Sequence, residues 1–275
     1  MPPSPFHHVD LSPACLPGVD TVAISSEHTF PRHAHDQFGI GVMRAGGHAS
    51  WSGRGQVEAG PGDVIASSPD EMHDGAPIGG PRAWEMVFVE PETVERLVGP
   101  EAARREIGFP VARAPALSAQ VLDVRRALLD GDARAAEERL TGLLADVLSP
   151  ASPASYDAPS PATRRVIERI RDSLGAPATL DEVAALMGME RTSALRRFRR
   201  ELGATPQDYA MQQRLRRARR LLAAGDTPAD VSHALGFADQ SHLTRAFARQ
   251  YGLPPGRYRT HKAKILQDAD GLRRR

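Results

Sequence analysis

The sequence predicts two domains of the α+β class. An amino-terminal antiparallel β-barrel or sandwich carries a helical hairpin. An all-α domain follows, with two helix-turn-helix units joined by a long helix. Three observations predict this arrangement. The first is charge: residues 1–161 hold 12 Arg and 22 Asp+Glu, net −10, and residues 162–275 hold 23 Lys+Arg and 12 Asp+Glu, net +11, although the whole chain sums to +1. The second is the stretch SPASPASYDAPSP at 149–161. It is too poor in apolar side chains to bury itself, and its prolines keep it semi-extended, so it reads as a linker. The third is an internal repeat confined to the basic half.

At 275 residues the chain has room for two ordinary domains, and 41 % hydrophobic with 25 % charged residues is a globular composition. No run approaches the roughly 20 apolar residues of a spanning helix, so no membrane partner is expected. The first eighteen residues are proline-rich, with neither a basic cluster nor an apolar core, and do not read as a signal peptide. A single cysteine, Cys15, excludes an internal disulfide and any multi-Cys zinc site. A cytoplasmic location is expected.

Within residues 1–148, short strand-forming runs between Val19 and Glu90 are broken by Gly, Pro and Asp: DTVAISS, QFGIGVMRAGG, HASWSG, GDVIASS and AWEMVFVE. After Pro91 the period turns helical. Val121, Val124, Leu128 and Leu129 form one stripe; Leu140, Leu143, Leu144, Val147 and Leu148 form another. Joined by Asp130–Asp132, they make a helical hairpin. Its stripes serve either packing under the barrel or a dimer seam.

The repeat lies within residues 162–262. Leu180–Tyr209 and Pro228–Tyr258 match at Val183/Val231, Gly188/Gly236, Arg196/Arg245, Phe198/Phe247, Gly203/Gly252, Pro206/Pro255 and Tyr209/Tyr258. Each copy begins with a short helix after a capping Thr179 or Thr227 and stops at Gly188 or Gly236. A turn follows, then a longer helix carrying a buried Phe. RTSALRRFRR holds five arginines in ten residues, a self-repulsion that a polyanionic partner would relieve. Between the copies Gln207–Ala224 forms a helix of roughly 27 Å. Successive major-groove faces on one side of B-DNA lie about 34 Å apart. This spacing favours duplex DNA, and aromatic residues are too few for stacking on splayed single-stranded bases. Residues 263–275 read as a basic, flexible tail.

TLDEVAALMGMERTSALRRFRRELG, RARRLL and GFADQSHLTRAFARQYGLPPGRYR closely resemble the DNA-binding domain of AraC/XylS-family transcription regulators, over about 100 residues from Thr163. FPRHAHDQFGIGVMRAG, GPGDVIASSPDEMHDG and WEMVFVEP look, more loosely, like the cupin-like effector domain of that family. The resemblance implies a regulator, not an enzyme. Its expected partners are a double-stranded operator, a small-molecule effector, a second copy in a homodimer and RNA polymerase. The first repeat departs from the family pattern: Glu190 stands where a capping Ser is usual and Ala194 where a Leu is usual. A less rigid first unit is therefore expected.

Spacings of one, four and five place Arg191, Thr192, Leu195 and Arg196 on one helix face, and Gln240, Ser241, Thr244 and Arg245 on another. These are the candidate base readers, since Arg can bridge guanine, Gln adenine, and Thr can touch the thymine methyl. Arg199, Arg200, Arg216, Arg217, Arg249, Arg257 and Arg259 are candidate phosphate contacts. In the barrel, His33, His35, Phe38, Trp51, His73 and Trp84 are the candidate effector-pocket residues. No cofactor is expected, although His33, His35 and His73 have the residue types of a three-histidine metal site. An effector-independent regulator and a metal-dependent cupin enzyme with a basic appendage are the alternatives.

Overall fold

The computed structural model describes residues 6–12, 14–52, 55–148 and 159–260. Most of the expected linker and the basic tail lie outside the described residues. The rest falls into two compact units.

The first unit is built on eight antiparallel strands: β1 (His7–Ser12), β2 (Val19–Ser26), β3 (Phe30–His33), β4 (Phe38–Ser52), β5 (Gly55–Ala59), β6 (Val64–Ser67), β7 (His73–Val89) and β8 (Val111–Ala112). They run in the order β1-β2-β7-β4-β6-β8, with β3 on β7 and β5 on β4. Two of the runs that read as separate strands, QFGIGVMRAGG and HASWSG, are one strand, β4. It pairs with β7 from Phe38↔Val89 to Ser52↔His73. Register shifts between Met43 and Gly47 bend the pair instead of ending it. Gly46 sits in the bend at φ +71°, where a Cβ would fall 2.3 Å from the Pro81 carbonyl oxygen. The sequence signal for a break was a signal for a corner.

Alternation sorts these strands into two faces. Phe38, Ile40, Val42, Val87 and Val89 form one core with α3 (Pro115–Asp130) and α4 (Ala133–Val147). Met43, Ala59, Trp84 and Met86 form a separate inner cluster with Ile24, Phe30, Ile65 and Phe88. Phe38 therefore packs under the hairpin and does not line the inner cluster, contrary to expectation. The hairpin itself is as the sequence predicts, capped by the Asp132 carboxylate accepting from the Ala135 amide. Its stripes are consumed by this packing, with only Leu129 appreciably exposed, at 38 %. The dimer-seam reading of these stripes is thereby corrected. Two short helices, α1 (Pro91–Val98) and α2 (Pro100–Ala103), lead from β7 towards β8.

The second unit is helical: α5 (Pro161–Asp172), α6 (Leu180–Met187), α7 (Arg191–Leu202), α8 (Pro206–Ala223), α9 (Pro228–Ala234) and α10 (Gln240–Tyr251), with residues 255–260 also helical. Ser160 and Pro161, placed in the linker by composition, are the cap and first residue of α5. Thr179 and Glu182 form a reciprocal capping box on α6. Thr227 caps α9, with Pro228 in its first turn. The repeat is visible in the packing. Phe198 meets Tyr209 edge-on at 6.0 Å between centroids, and Phe247 meets Tyr258 edge-on at 5.6 Å. Both phenylalanines are fully buried.

The two long second helices differ at their caps, as their sequences imply. Asp239 accepts from the His242 amide at 2.6 Å. Glu190 makes no side-chain cap bond. Glu190→Asp is expected to add about 0.5–1 kcal/mol to the second unit's stability, read as a raised denaturation midpoint by circular dichroism. No change would mean that water already satisfies the α7 amides.

Glu201 on α7 fastens α5. It accepts from the Ser160 amide and hydroxyl, each at 2.9 Å, and from Arg197 Nε at 2.8 Å. Burial pushes its pKa up, but hydrogen bonds from Thr163, Arg197 and Ser160 outweigh that and hold it at about 2. A depressed folded-state pKa gives stability that is present above the unfolded value near 4.5 and is lost as pH falls towards 2. Glu201→Gln should therefore cost about 2 kcal/mol at neutral pH. The gap between variant and wild type in denaturant titrations should close below pH 4.5. A gap that persists at pH 2 would sink this assignment.

Candidate nucleic-acid interface and effector site

The basic unit divides its arginines between scaffold and surface. Arg165 donates twice to the Leu186 carbonyl, at 3.0 and 2.9 Å, closing the end of α6. Arg214 donates to the Leu174 carbonyl at 2.6 Å. Arg214, Arg216 and Arg219 are all buried along α8. Arg216 was a candidate phosphate contact, and its burial removes it from that role: it lies on the side of α8 that carries Gln212, Leu215 and Leu222 inward. Arg217, Arg199, Arg200, Arg249 and Arg257 are exposed; Arg259 is half-buried and donates to the Gly225 carbonyl at 3.4 Å.

All eight candidate base readers lie in the first two turns of α7 or α10, the second helix of each unit. Arg191, Thr192, Arg196, Gln240, Ser241 and Arg245 are exposed; Leu195 and Thr244 are half-buried. Thr244 donates its hydroxyl to the Gln240 carbonyl at 2.8 Å. Arg191 forks onto Asp181 of α6, one of its two contacts measuring 2.6 Å. The two units are spaced by α8, whose 18 residues are those the sequence requires, shifted by one.

The inner face of the folded sheet holds the other candidates. His33, His35 and His73 come together, with ring centroids 4.5–5.1 Å apart and potential ligand atoms within 4.8 Å of one another. The Nδ1–H of His33 donates to the Pro31 carbonyl at 2.7 Å, and that of His73 to the Glu71 carbonyl at 3.0 Å. A carbonyl cannot donate, so each ring in its neutral form carries its lone pair on Nε2. This orientation suits either a metal ion or a hydrogen-bond donor on a ligand. His35 lies 5.2 Å from Phe88, which connects the triad to the inner apolar cluster.

Trp84 sits in that cluster. Trp51 does not: an odd separation from His48 puts it on the opposite face of β4, where the Arg32 guanidinium covers its ring at 3.7 Å. Two participants were missed from the sequence. Arg82 lies over the rings of Trp84 and Phe30, at 5.1 and 5.6 Å. His48 lies 6.0 Å from Trp84. His7 also belongs here: it is on β1, and its ring stacks on His28 at 5.1 Å. Burial, then the charge of Arg82, lowers the His48 pKa to about 4, so that ring is neutral at physiological pH.

Comparison with known proteins identifies both units. Residues 19–148 match the family model of the AraC-like ligand binding domain, and residues 183–261 match a helix-turn-helix domain model. The chain belongs to the AraC family. It is similar to the HTH-type transcriptional regulator YbfI of Bacillus subtilis (strain 168), 27 % identical over 78 % of this chain and 81 % of YbfI. It is also similar to the transcriptional activator NphR of Rhodococcus sp, 40 % identical over 37 % of this chain and 30 % of NphR. Among solved structures, ToxT from Vibrio cholerae O395 shares the fold, with a TM-score of 0.51, 10 % identity, and 94 % of this chain and 98 % of ToxT covered. This AraC-family protein is a helix-turn-helix DNA-binding regulator with a ligand-binding domain, and its relatives are regulators, not enzymes. Among its described residues no helix is long and apolar enough to cross a membrane.

Proposed function

We propose that this AraC-family regulator reads a bipartite operator, laying α7 and α10 into two successive major-groove segments of one duplex. Arg191, Thr192, Leu195, Arg196, Gln240, Ser241, Thr244 and Arg245 meet base edges. Arg199, Arg200, Arg217, Arg249, Arg257 and Arg259 meet phosphates. The observation that carries this reading is the equivalence of Arg196 and Arg245. Both are exposed at the same place on helices held apart by an 18-residue rod. Selection from a random DNA pool should return two conserved segments about one helical turn apart. Binding should weaken steeply with salt, because each phosphate contact releases counterions. A single short segment would leave only one unit reading DNA.

A small effector bound at the inner face of the sheet biases the protein between two arrangements with different operator affinity. ToxT from Vibrio cholerae strain SCE256, which shares this fold, has been solved with an unsaturated fatty acid bound. The working form is a cytoplasmic homodimer that contacts RNA polymerase; sedimentation of the operator complex tests the dimer. A ligand library screened by thermal shift separates this from an effector-independent regulator, because an effector raises the melting temperature by mass action. The domain limits we propose are 1–148 and 162–262, with α5 adding its cap from the intervening segment.

A second reading gives the histidine triad a divalent metal, and the two Nδ1–H bonds to backbone carbonyls favour it. Calorimetric titration with Zn²⁺ decides: stoichiometric binding abolished by His73→Ala supports it, and no heat excludes it.

A further inference from the structure

The strand β7 drives a cation into the apolar interior. Arg82, Trp84, Met86 and Phe88 alternate onto one face. Arg82 is only 1 % exposed, and its three guanidinium nitrogens are buried with no hydrogen-bond partner. No ion pair forms with it among the described residues. The faces of Phe30 and Trp84 supply cation–π attraction but neither hydrogen bonds nor a countercharge. Nearby, Nδ1 of His48 and Nδ1 of His28 are also buried and unpartnered. Buried cations are ordinarily paired, and one left single is a standing cost to the fold. Five orphaned nitrogens around two aromatic rings form a recognition group lacking its counterpart.

We propose that Arg82 is the anchor of the effector site, and that the effector is a small organic monocarboxylate with an apolar body. This rests on the reading of the first unit as an effector-binding domain and adds the ligand's chemistry. The guanidinium fork matches a carboxylate in two parallel bonds. One fixed cation balances a single negative charge, whereas a phosphate dianion would remain half-compensated. The Trp84, Met86, Phe30 and Met43 walls then take the apolar body. The guanidinium is sealed in this structure, so entry requires movement of the side chains around it. β1 is an edge strand, paired among the described strands with β2 alone, and carries His7 against His28 and Phe30. Opening β1 admits the ligand.

The test uses the full chain and thermal unfolding. Benzoate, hexanoate and octanoate are each compared with the matching primary alcohol and with sodium chloride at equal ionic strength. At least one carboxylate should raise the melting temperature by several degrees, and its alcohol should not. Arg82→Met should abolish that response and melt no lower than wild type, since it removes an uncompensated charge while keeping the bulk. Arg82→Lys, which keeps the charge and loses the fork, should fold and bind the same acid about ten-fold more weakly. The proposal falls if alcohols stabilise as well as acids, if no acid stabilises wild type, if the response survives Arg82→Met, or if Arg82→Lys binds unchanged. Should Arg82→Met fail to fold, the Arg82→Lys result decides. A neutral ligand that stabilises both wild type and Arg82→Met would overturn the carboxylate assignment and leave the effector-domain reading intact. A broad library that stabilises nothing would remove both.

Discussion

Arg245→Ala is expected to relax preference at one base position of the selected DNA at a cost of about 1–3 kcal/mol, leaving the other positions as selective as before. Arg245 lies in the second turn of α10 with its guanidinium in solvent, and the helix around it is fixed by Leu243 and Phe247, both fully buried. A long side chain on a rigid helix can make the two parallel bonds that distinguish guanine from the other bases. Arg249 is one turn further on, where a recognition helix leaves the base edges. Arg249→Ala should instead weaken all sequences alike and make the salt dependence shallower by about one phosphate contact. Competition binding against single-base operator variants at two salt concentrations separates these outcomes. A uniform loss for Arg245→Ala would make it a phosphate clamp. Arg196→Ala should repeat the Arg245 result at a position in the other segment. Its effect should add to that of Arg245→Ala, because the two sites share no partner.

The contrast between these helices shows what the sequence could and could not disclose. The repeat was legible because each unit reuses one set of contacts: a threonine cap, a left-handed glycine, and a Phe packed on a Tyr. Those contacts are local in sequence, so spacing alone announces them. Arg216 was misread because basic residues crowd α8, and composition does not say which side faces the core. The helical period does say it, since Gln212, Arg216 and Arg219 step along the side that holds Leu215 and Leu222. The long strands β4 and β7 were cut too short because glycine marks both turns and corners.

The effector site was less legible for a different reason. Its residues come from β1, the turn after β2, β3, β4 and β7, and the pairing that assembles them is long-range. Strand parity was nevertheless available. Phe38, Ile40 and Val42 are all apolar on the hairpin face of β4, whereas the alternate positions Gly39 and Gly41 are small and give room to Met86 and Phe88 across the sheet. Parity also puts Arg82 beside Trp84 and Met86. An arginine in register with large apolar residues on a strand is a signal that stands in the sequence. The three histidines meet because His33 and His35 are two residues apart and His73 lies opposite His33 in the β3–β7 pairing.

Equivalent glycines in the two units should respond very differently to alanine. Gly188 and Gly236 both take left-handed conformations, at φ +65° and +66°. A Cβ at Gly188 has nothing within 4 Å. Gly188→Ala should therefore cost only the left-handed strain, about 1–2 kcal/mol. A Cβ at Gly236 would fall 2.5 Å from the Gly175 carbonyl oxygen and 3.1 Å from its Cα, both backbone atoms. Gly236→Ala must pay that strain and also displace the segment between α5 and α6, adding roughly 1–3 kcal/mol of overpacking. Chemical denaturation followed by circular dichroism should rank the two variants in this order. The contact ties the turn of the second unit to the entry of the first. The loss should therefore reach beyond α10: Gly236→Ala should weaken protection of both operator segments, whereas Gly188→Ala should spare the segment read by α10. Equal costs for the two substitutions would mean that the close approach of Gly175 and Gly236 gives way freely, and that the units are coupled through α8 alone.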